Sequence, residues 1–407
     1  MAPGPGPLAE LGSDPHMPDH ETDGAAAMRP AVTRLHLTDF RGYAATRLEV
    51  EDRPVVLTGA NGAGKTNLLE AISFLAPGRG LRRARLSEID RRVPPAKPTA
   101  LPPGPWAVAA RLATPRGEVQ IGTGRDSASD SGERRIVRID GAKAKGQGAL
   151  AEHLHLAWLT PQMDRLFAEG SGGRRRFLDR LVLGFDAGHA ARLSAYERAM
   201  RERARLLQDG PAEPAWLAAL EETMAADGIA IAAARREMTA RLDAECAAAP
   251  GPFPQARLAL AGEVEDWLGA MPALDAEEAF RRRLAAGRRA DAESGTTLCG
   301  PHRADLVVRH VGSGMAAAAC STGEQKALLI AILLAHARLR KRSSGAPPIL
   351  LLDEVAAHLD GTRRAALFAA LDALEAQAWL TGTEPALFAG LAGIAQFFTV
   401  ADAAIVA

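Results

Sequence analysis

The sequence predicts an α/β protein in which a strand-and-helix block is interrupted by a helical subdomain and then resumes. Three observations carry this. A glycine-rich loop at Gly59 sits between an apolar strand and a helix, the middle of the chain places Ala, Arg, Glu and Leu at helical spacing, and short apolar strands return near the end. With 407 residues, 47% of them hydrophobic, the chain can bury a core large enough for two or three domains.

From Val32, "VTRLHLTDFRGY" alternates apolar and polar residues, and "TRLEVEDRPVVLTG" reads as two short strands running into the glycine loop. "KTNLLEAISFLA" follows as a helix with Leu68, Leu69, Ile72 and Leu75 on one face, ended by "PGRG". Between Trp106 and Asp140, "WAVAARLATPRGEVQIGTG" and "ERRIVRIDG" have the pattern of antiparallel hairpin strands. Residues 173–294 read as a compact helical subdomain broken at Pro211, Pro214, Pro250, Pro252, Pro254 and Pro272, without the sustained heptads of a coiled coil. "DLVVRH", "PPILLLDEV", "AQAWLTGT" and "QFFTVADAAIVA" then read as strands. The expected division is a disordered tail over 1–30, an α/β part over 31–172, the helical insertion over 173–294 and a second α/β part over 295–407.

Lys plus Arg and Asp plus Glu both number 49, so net charge argues for no nucleic-acid partner and only local patches can. Cys246, Cys299 and Cys320 form no CxxC pair, which leaves neither a disulfide framework nor a zinc site and fits a reducing cytoplasm. No apolar run reaches the ~18 residues that span a bilayer. The first residues lack the basic and apolar regions of a secretory signal and are read as a tail, or as translation from a start codon upstream of Met28.

"GANGAGKT", Gly59 to Thr66, satisfies GxxxxGK[ST] in the right strand-loop-helix context. Gly59, Ala60, Asn61, Gly62, Ala63 and Gly64, with Lys65, Thr66 and Asn67, are the expected nucleotide contacts. Glycines let the backbone wrap an anion, and amides at a helix start point toward a β-phosphate. Lys65 would bridge β- and γ-phosphates, and the Thr66 hydroxyl would hold Mg²⁺.

"ILLLDE" puts Asp353 and Glu354 at the carboxyl end of an apolar strand, where open parallel sheets bind ligands. Asp353 would support Mg²⁺ and Glu354 would act as general base toward water. Taken alone, the pair also reads as a helix N-terminal charge pair. "CSTGEQKALL" places Ser321, Thr322 and Gly323 before an amphipathic helix, a second anion-binding start that would face the γ-phosphate of another copy.

Phosphate loop, signature and "LLLDE" with "AHLD" resemble the ordered set of the ABC-type ATPases. Within them the chain resembles the RecF family through "LTDFRGY", "GRGLRRARLSEID", "WLTPQMDRLFAEGSGGRRRFLDRLV", "GPHRADL" and "CSTGEQKALLIAILLAHARL", from Val32 to the C-terminus. The resemblance implies an ABC-type ATPase head, a P-loop NTPase with a mixed sheet and an inserted helical subdomain. It implies that Gln162 senses Mg²⁺ and γ-phosphate, that Ser321 and Gly323 contact ATP across a head-to-tail homodimer, and that Asp360 lies in the loop linking the two sites. Thr381 would stand where many members carry a switch histidine, which fits slow, DNA-stimulated ATP hydrolysis. Cys320 replaces a leucine with little expected consequence. The implied activity is ATP-driven dimerisation on gapped or junction DNA, helping RecO and RecR load RecA onto single strands in the cytoplasm, with no membrane partner.

Basic residues cluster at Arg79, Arg82, Arg83 and Arg85 and again at Arg174, Arg175, Arg176 and Arg180. Such runs either grip phosphates without reading sequence or form solvated helix faces. With 4% aromatic residues, a base-stacking groove for single strands is not expected, and duplex backbone or junction contacts are favoured. His302 and Arg303 read equally as a phosphate sensor or a turn. His153 and His155 alternate along a possible strand and are taken as structural. The alternative function is an ABC-type energy subunit coupled to a membrane or other protein partner. A chromosome-structuring ATPase with long arms is disfavoured by the proline-broken insertion, and a nuclease by the lack of a further acidic cluster.

Overall fold

The computed structural model describes residues 29–92, 104–126, 134–210, 213–249, 251–357 and 359–406. All but the end of the expected tail, and Pro211 and Pro250, lie outside the described residues.

The first part of the chain forms β1 (Ala31–Phe40), β2 (Tyr43–Glu49), β3 (Val55–Thr58), α1 (Lys65–Ser73), β4 (Ala107–Thr114), β5 (Gly117–Arg125), β6 (Arg135–Ile139), β7 (Ala142–Lys143) and β8 (Leu156–Leu159). The helical middle holds α2 (Ser171–Leu183), α3 (His189–Gln208), α4 (Pro214–Ala248), β9 (Ala256–Ala261), α5 (Glu263–Ala270) and α6 (Ala273–Ser294). The last part is β10 (Asp305–His310), α7 (Thr322–Ser344), β11 (Ile349–Leu352), α8 (Gly361–Leu374), β12 (Ala378–Gly382), β13 (Gln396–Ala401) and β14 (Ala404–Val406).

One sheet has the order β14-β13-β3-β12-β11-β8, parallel except for β14. Every residue of β3, β8, β11 and β12 is buried, as parallel strands covered on both faces must be. The two faces separate by alternation along β11. Ile349 and Leu351 pack into the core shared with α1 and β1, and Leu350 and Leu352 into the core shared with α7 and α8. The second sheet, β2-β1-β4-β5-β6-β7, is antiparallel and covers α1, with Phe40 meeting Phe74 and Trp106 edge-on between them. The run expected as one strand at the end is instead a hairpin. Asp402 and Ala403 take φ values of 48° and 54°, the conformation of a tight two-residue turn, and split it into β13 and β14.

The prolines fall where helices tolerate them. Pro214 lies in the first turn of α4, Pro272 precedes α6, and Pro252 and Pro254 sit between α4 and β9. The 35-residue α4 contacts α2, α3, α6 and α7 at different points along its length, so no single coiled-coil seam forms. The segment read as helical throughout also contains a strand. β9 pairs antiparallel with β10 from Asp305↔Ala261 to His310↔Ala256, tying the helical segment to the part expected to start at 295. "ARLALA" is short, and its partner lies beyond two intervening helices, which hid the pairing from local pattern reading. His153 and His155 also differ from expectation: both precede β8. Among the described residues, no helix is long and apolar enough to cross a membrane.

The helices have their own core around Tyr196, Met224, Ile231, Phe280 and Leu284. Beside it the fully buried Arg203 donates to Glu221 Oε1 at 2.9 Å, Asp291 Oδ2 at 2.7 Å and the Leu284 carbonyl at 2.8 Å. Arg203→Met should leave buried acids short of a cation and cost about 3–5 kcal/mol. The expected reading is a lower urea midpoint at unchanged slope, and an unchanged midpoint would show that the cluster does not hold the helices together.

Candidate active site

β3 delivers the glycine loop to the carboxyl edge of the sheet. Gly59 has φ 147°, and a Cβ there would lie 2.1 Å from the Val400 carbonyl oxygen of the neighbouring β13. Gly64 has φ 111° and backs onto Tyr43, whose hydroxyl donates to the Gly64 carbonyl at 3.1 Å. Neither position accepts a side chain, so the loop is held tightly between β13 and Tyr43 while Ala60, Asn61 and Gly62 stay at the surface. Ala63 is buried, its carbonyl accepting from the Ala403 amide at 2.9 Å.

α1 begins at Lys65, and the Gly64 carbonyl accepts from the Asn67 and Leu68 amides at 2.9 and 3.3 Å, which leaves the Lys65 and Thr66 amides at the open end of the helix. Lys65 Nζ donates to the carbonyls of Gly59 at 2.7 Å and Ala60 at 2.8 Å. Burial holds its ammonium below the ordinary lysine range, against the pull of Glu354 and Asp353. Asn67 is turned away, its Oδ1 accepting from Arg82 at 2.8 Å.

The second wall comes from β11. Asp353 is buried, and its carboxylate accepts from Thr66 Oγ1 at 2.9 and 3.1 Å. Asp353 also accepts from Thr381 Oγ1 at 2.7 Å, and Thr381 Oγ1 in turn accepts from the Glu354 amide at 2.9 Å. Thr381 therefore lies inside β12, fully buried against the acid pair. Glu354 has a left-handed backbone, φ 50°. Its carbonyl accepts from Lys326 Nζ at 3.1 Å, and Lys326 also pairs with Asp164 at 3.5 Å.

Thr66 hydroxyl and Asp353 carboxylate form the hard oxygen donor set that suits Mg²⁺. Gln162 lies on the turn Pro161–Arg165 that follows β8, the strand beside β11, so it belongs to the same edge of the sheet. Its side chain is exposed and bonded to none of the loop residues. Ser321 caps α7: its Oγ accepts from the Glu324 amide at 3.3 Å, and Glu324 Oε2 accepts from the Ser321 amide at 2.9 Å. Ser321 and Gly323 make no hydrogen bond to the phosphate loop of their own chain. Asp360 caps α8, accepting from the Arg363 amide at 2.8 Å.

A site of phosphate loop, hydroxyl and adjacent acids on this sheet order has known counterparts. Residues 31–403 match the family described as RecF/RecN/SMC N terminal domain. The "DNA replication and repair protein RecF" of Mesorhizobium japonicum is 53% identical over 371 residues, covering 91% of this chain and 96% of its own. The protein of the same name from Rhizobium rhizogenes is 52% identical over 377 residues, covering 92% and 98%. The chain belongs to the RecF family.

The solved structure described as the recombination mediator protein RecF-ATPrS in the RecFOR pathway shares the RecF-family fold at a TM-score of 0.78 and 21% identity, covering 93% of this chain and 98% of that one. An Smc head domain derived from Pyrococcus furiosus matches at a TM-score of 0.52 and 16% identity, over 92% and 95%. These neighbours agree with the ABC-type ATPase head expected from the motifs.

The arginines of this RecF-family chain divide into two groups. Arg82 is bound to Asn67 and Glu70, Arg174 to Asp305 through two bonds of 2.7 and 2.8 Å, and Arg175 to Ser171 and the Ala304 carbonyl. These three hold elements of the chain together. Arg79, Arg83, Arg85 and Arg176 are exposed, with no carboxylate among the described residues at ion-pairing distance. Burial holds the Arg83 guanidinium below its usual value, and Arg176 and Arg79 add to this, so the two basic segments converge. Beneath them Arg180 stacks 4.3 Å from the Trp158 ring, its guanidinium pushed down to about 9 by burial and then by Arg83.

His302 and Arg303 are a turn. Both His302 ring nitrogens are engaged: Nε2 donates to the Thr297 carbonyl at 2.8 Å, which leaves Nδ1 to accept from Tyr196 at 2.7 Å. Burial pushes this imidazole down to about 4, where it stays neutral at physiological pH. The residues missed at the site are Thr381 as a support of the acid pair, Lys326 and Asp164. A lysine immediately before the apolar run "ALLIAILLA" was the available signal for the second of them.

Proposed function

We propose that the chain is an ATP-switched DNA-binding protein of recombinational repair and replication restart. It binds ATP at the phosphate loop, dimerises head to tail on gapped or junction DNA, and hydrolyses ATP slowly, with DNA stimulation, to reopen. In the cytoplasm it acts with RecO and RecR to help load RecA onto single-stranded DNA. The observation that carries this reading is the half-site geometry. Lys65, Thr66, Asp353 and Glu354 share one edge of the sheet, while the capped helix start at Ser321 and Gly323 has no phosphate loop of its own to face.

In that reading Lys65 reaches the β- and γ-phosphates, and the Glu354 carboxylate accepts a proton from the attacking water. Thr66 and Asp353 would hold Mg²⁺, which would supply positive charge beside the phosphates. Gln162 moves in from its exposed turn once nucleotide is present, and Ser321 and Gly323 of one copy close over the ATP of the other. ATP favours the closed dimer because only that state gives the γ-phosphate its second set of donors.

The relatives' name, DNA replication and repair protein RecF, supports the DNA assignment. So does the convergence of Arg79, Arg83 and Arg176, whose mutual repulsion outweighs the pull of Glu197 on Arg83. The test is equilibrium binding to matched gapped, duplex and single-stranded DNA, with ATP, with ADP and without nucleotide. ATP-dependent preference for gapped or duplex-containing DNA is expected, and no binding under any condition would refute the proposal. The double variant Arg83→Glu, Arg176→Glu should weaken binding by ~10-fold or more and flatten the salt dependence by about two units, one per phosphate contact. An unchanged salt slope would place the DNA elsewhere.

A further inference from the structure

The backbone of Glu354 is fixed from two sides by side chains of other elements. Its amide donates to Thr381 of β12 at 2.9 Å, and its carbonyl accepts from Lys326 of α7 at 3.1 Å. A left-handed φ of 50° is unfavourable for a glutamate, so the conformation depends on such outside ties. That conformation sets the direction in which the carboxylate leaves the chain.

Lys326 is an unusual occupant of its position. It is 5% exposed, follows the helix start at Ser321 by little more than a turn, and is succeeded by apolar residues buried on every side. Burying an ammonium is unfavourable unless it is paired and hydrogen-bonded, and an aliphatic residue would fill the same space without that cost. Among the described residues its ion-pair partner is Asp164, 30% exposed at 3.5 Å, a weak return for burial if packing were the only role. The three groups it joins are informative: the signature helix that carries it, the turn that carries Gln162 and Asp164, and the backbone of Glu354.

We infer that Lys326 is a positioning residue that holds Glu354, and the turn of Gln162, in register with the signature helix of the same chain. This rests on the reading of Glu354 as the base that activates water. Docking of Ser321 and Gly323 on a partner's nucleotide then bears on the chain's own hydrolytic centre, because α7 and Glu354 are joined through one ammonium. Lys326 acts through the Glu354 backbone and the turn of Gln162, so its loss acts on turnover and leaves nucleotide affinity in place.

The test compares the full-length chain with Lys326→Met, Asp164→Asn and Glu354→Gln, measuring ATP affinity with a fluorescent ATP analogue, steady-state hydrolysis and the urea midpoint. Lys326→Met is expected to keep Kd within about twofold and to lose ~10-fold or more in kcat, the split of a residue that acts through the catalytic step. Asp164→Asn keeps the tie to Glu354 and should lose less. If Lys326→Met is destabilised, Lys326→Gln, uncharged and one bond too short to reach the Glu354 carbonyl as the ammonium does, replaces it under the same expectation. A kcat within about twofold of the parent's, or a loss of Kd that matches the loss of kcat, would overturn the inference. Glu354→Gln separates the two failures. If it hydrolyses ATP normally, the reading of Glu354 is wrong, and if it is inactive while Lys326→Met is normal, only the role of Lys326 falls.

Discussion

Lys65→Ala is expected to remove measurable ATP binding. The Lys65 ammonium bonds the Gly59 and Ala60 carbonyls at 2.7 and 2.8 Å, so in the free protein it already stands inside the loop that would wrap the phosphates. Hydrogen bonds to charged groups contribute about 1.5–3 kcal/mol each, and two lost to the β- and γ-phosphates amount to roughly a 10²–10⁴-fold loss of affinity. The variant also removes the cation whose charge interacts with Asp353 and Glu354, which disfavours an approaching polyanion further. Titration with a fluorescent ATP analogue checks this directly. Retained affinity would mean that the glycine loop is not the nucleotide site, and the reading of Asp353 and Glu354 would fall with it.

What could be read from the sequence was what is local. Gly59 to Thr66 and Asp353 to Glu354 are contiguous motifs whose neighbouring strands are continuous apolar runs, so loop, helix and acid pair were placed correctly before any contact was known. The bond between Thr66 and Asp353 joins residues far apart in sequence and exists because β3 and β11 flank β12. Thr381 escaped because a threonine in a strand is ordinary until the strand is known to lie between the other two. The arginines illustrate the same limit. "GGRRRF" gives no hint that Arg174 faces Asp305 on β10 while Arg176 faces solvent, since consecutive residues on a helix point about a hundred degrees apart and only tertiary packing decides which side is inward. β9 was lost for the complementary reason: its partner β10 follows two intervening helices, and strand pairing over such a distance leaves no periodic trace.

Ser321→Arg is expected to abolish ATP-dependent dimerisation while leaving ATP binding by the single chain intact. The serine does two things. Within its own chain it caps α7, through the Glu324 amide at 3.3 Å and a reciprocal bond from its own amide to Glu324 at 2.9 Å, and losing such a cap costs ~1 kcal/mol. That cost is too small to unfold a helix buried along most of its length. In the proposed dimer the same exposed helix start closes on the γ-phosphate of the other copy, where a bulky arginine leaves no room. Ser321→Ala separates the two effects: it removes the cap but adds no bulk, so it should dimerise more weakly than the parent, and Ser321→Arg not at all. Sedimentation of both variants with ATP, in the Glu354→Gln background to prevent turnover, reads the difference. Normal ATP-dependent dimerisation of Ser321→Arg would mean that the helix start does not meet the partner's nucleotide. Lys326 would then tie Glu354 to a helix that answers to nothing outside its own chain.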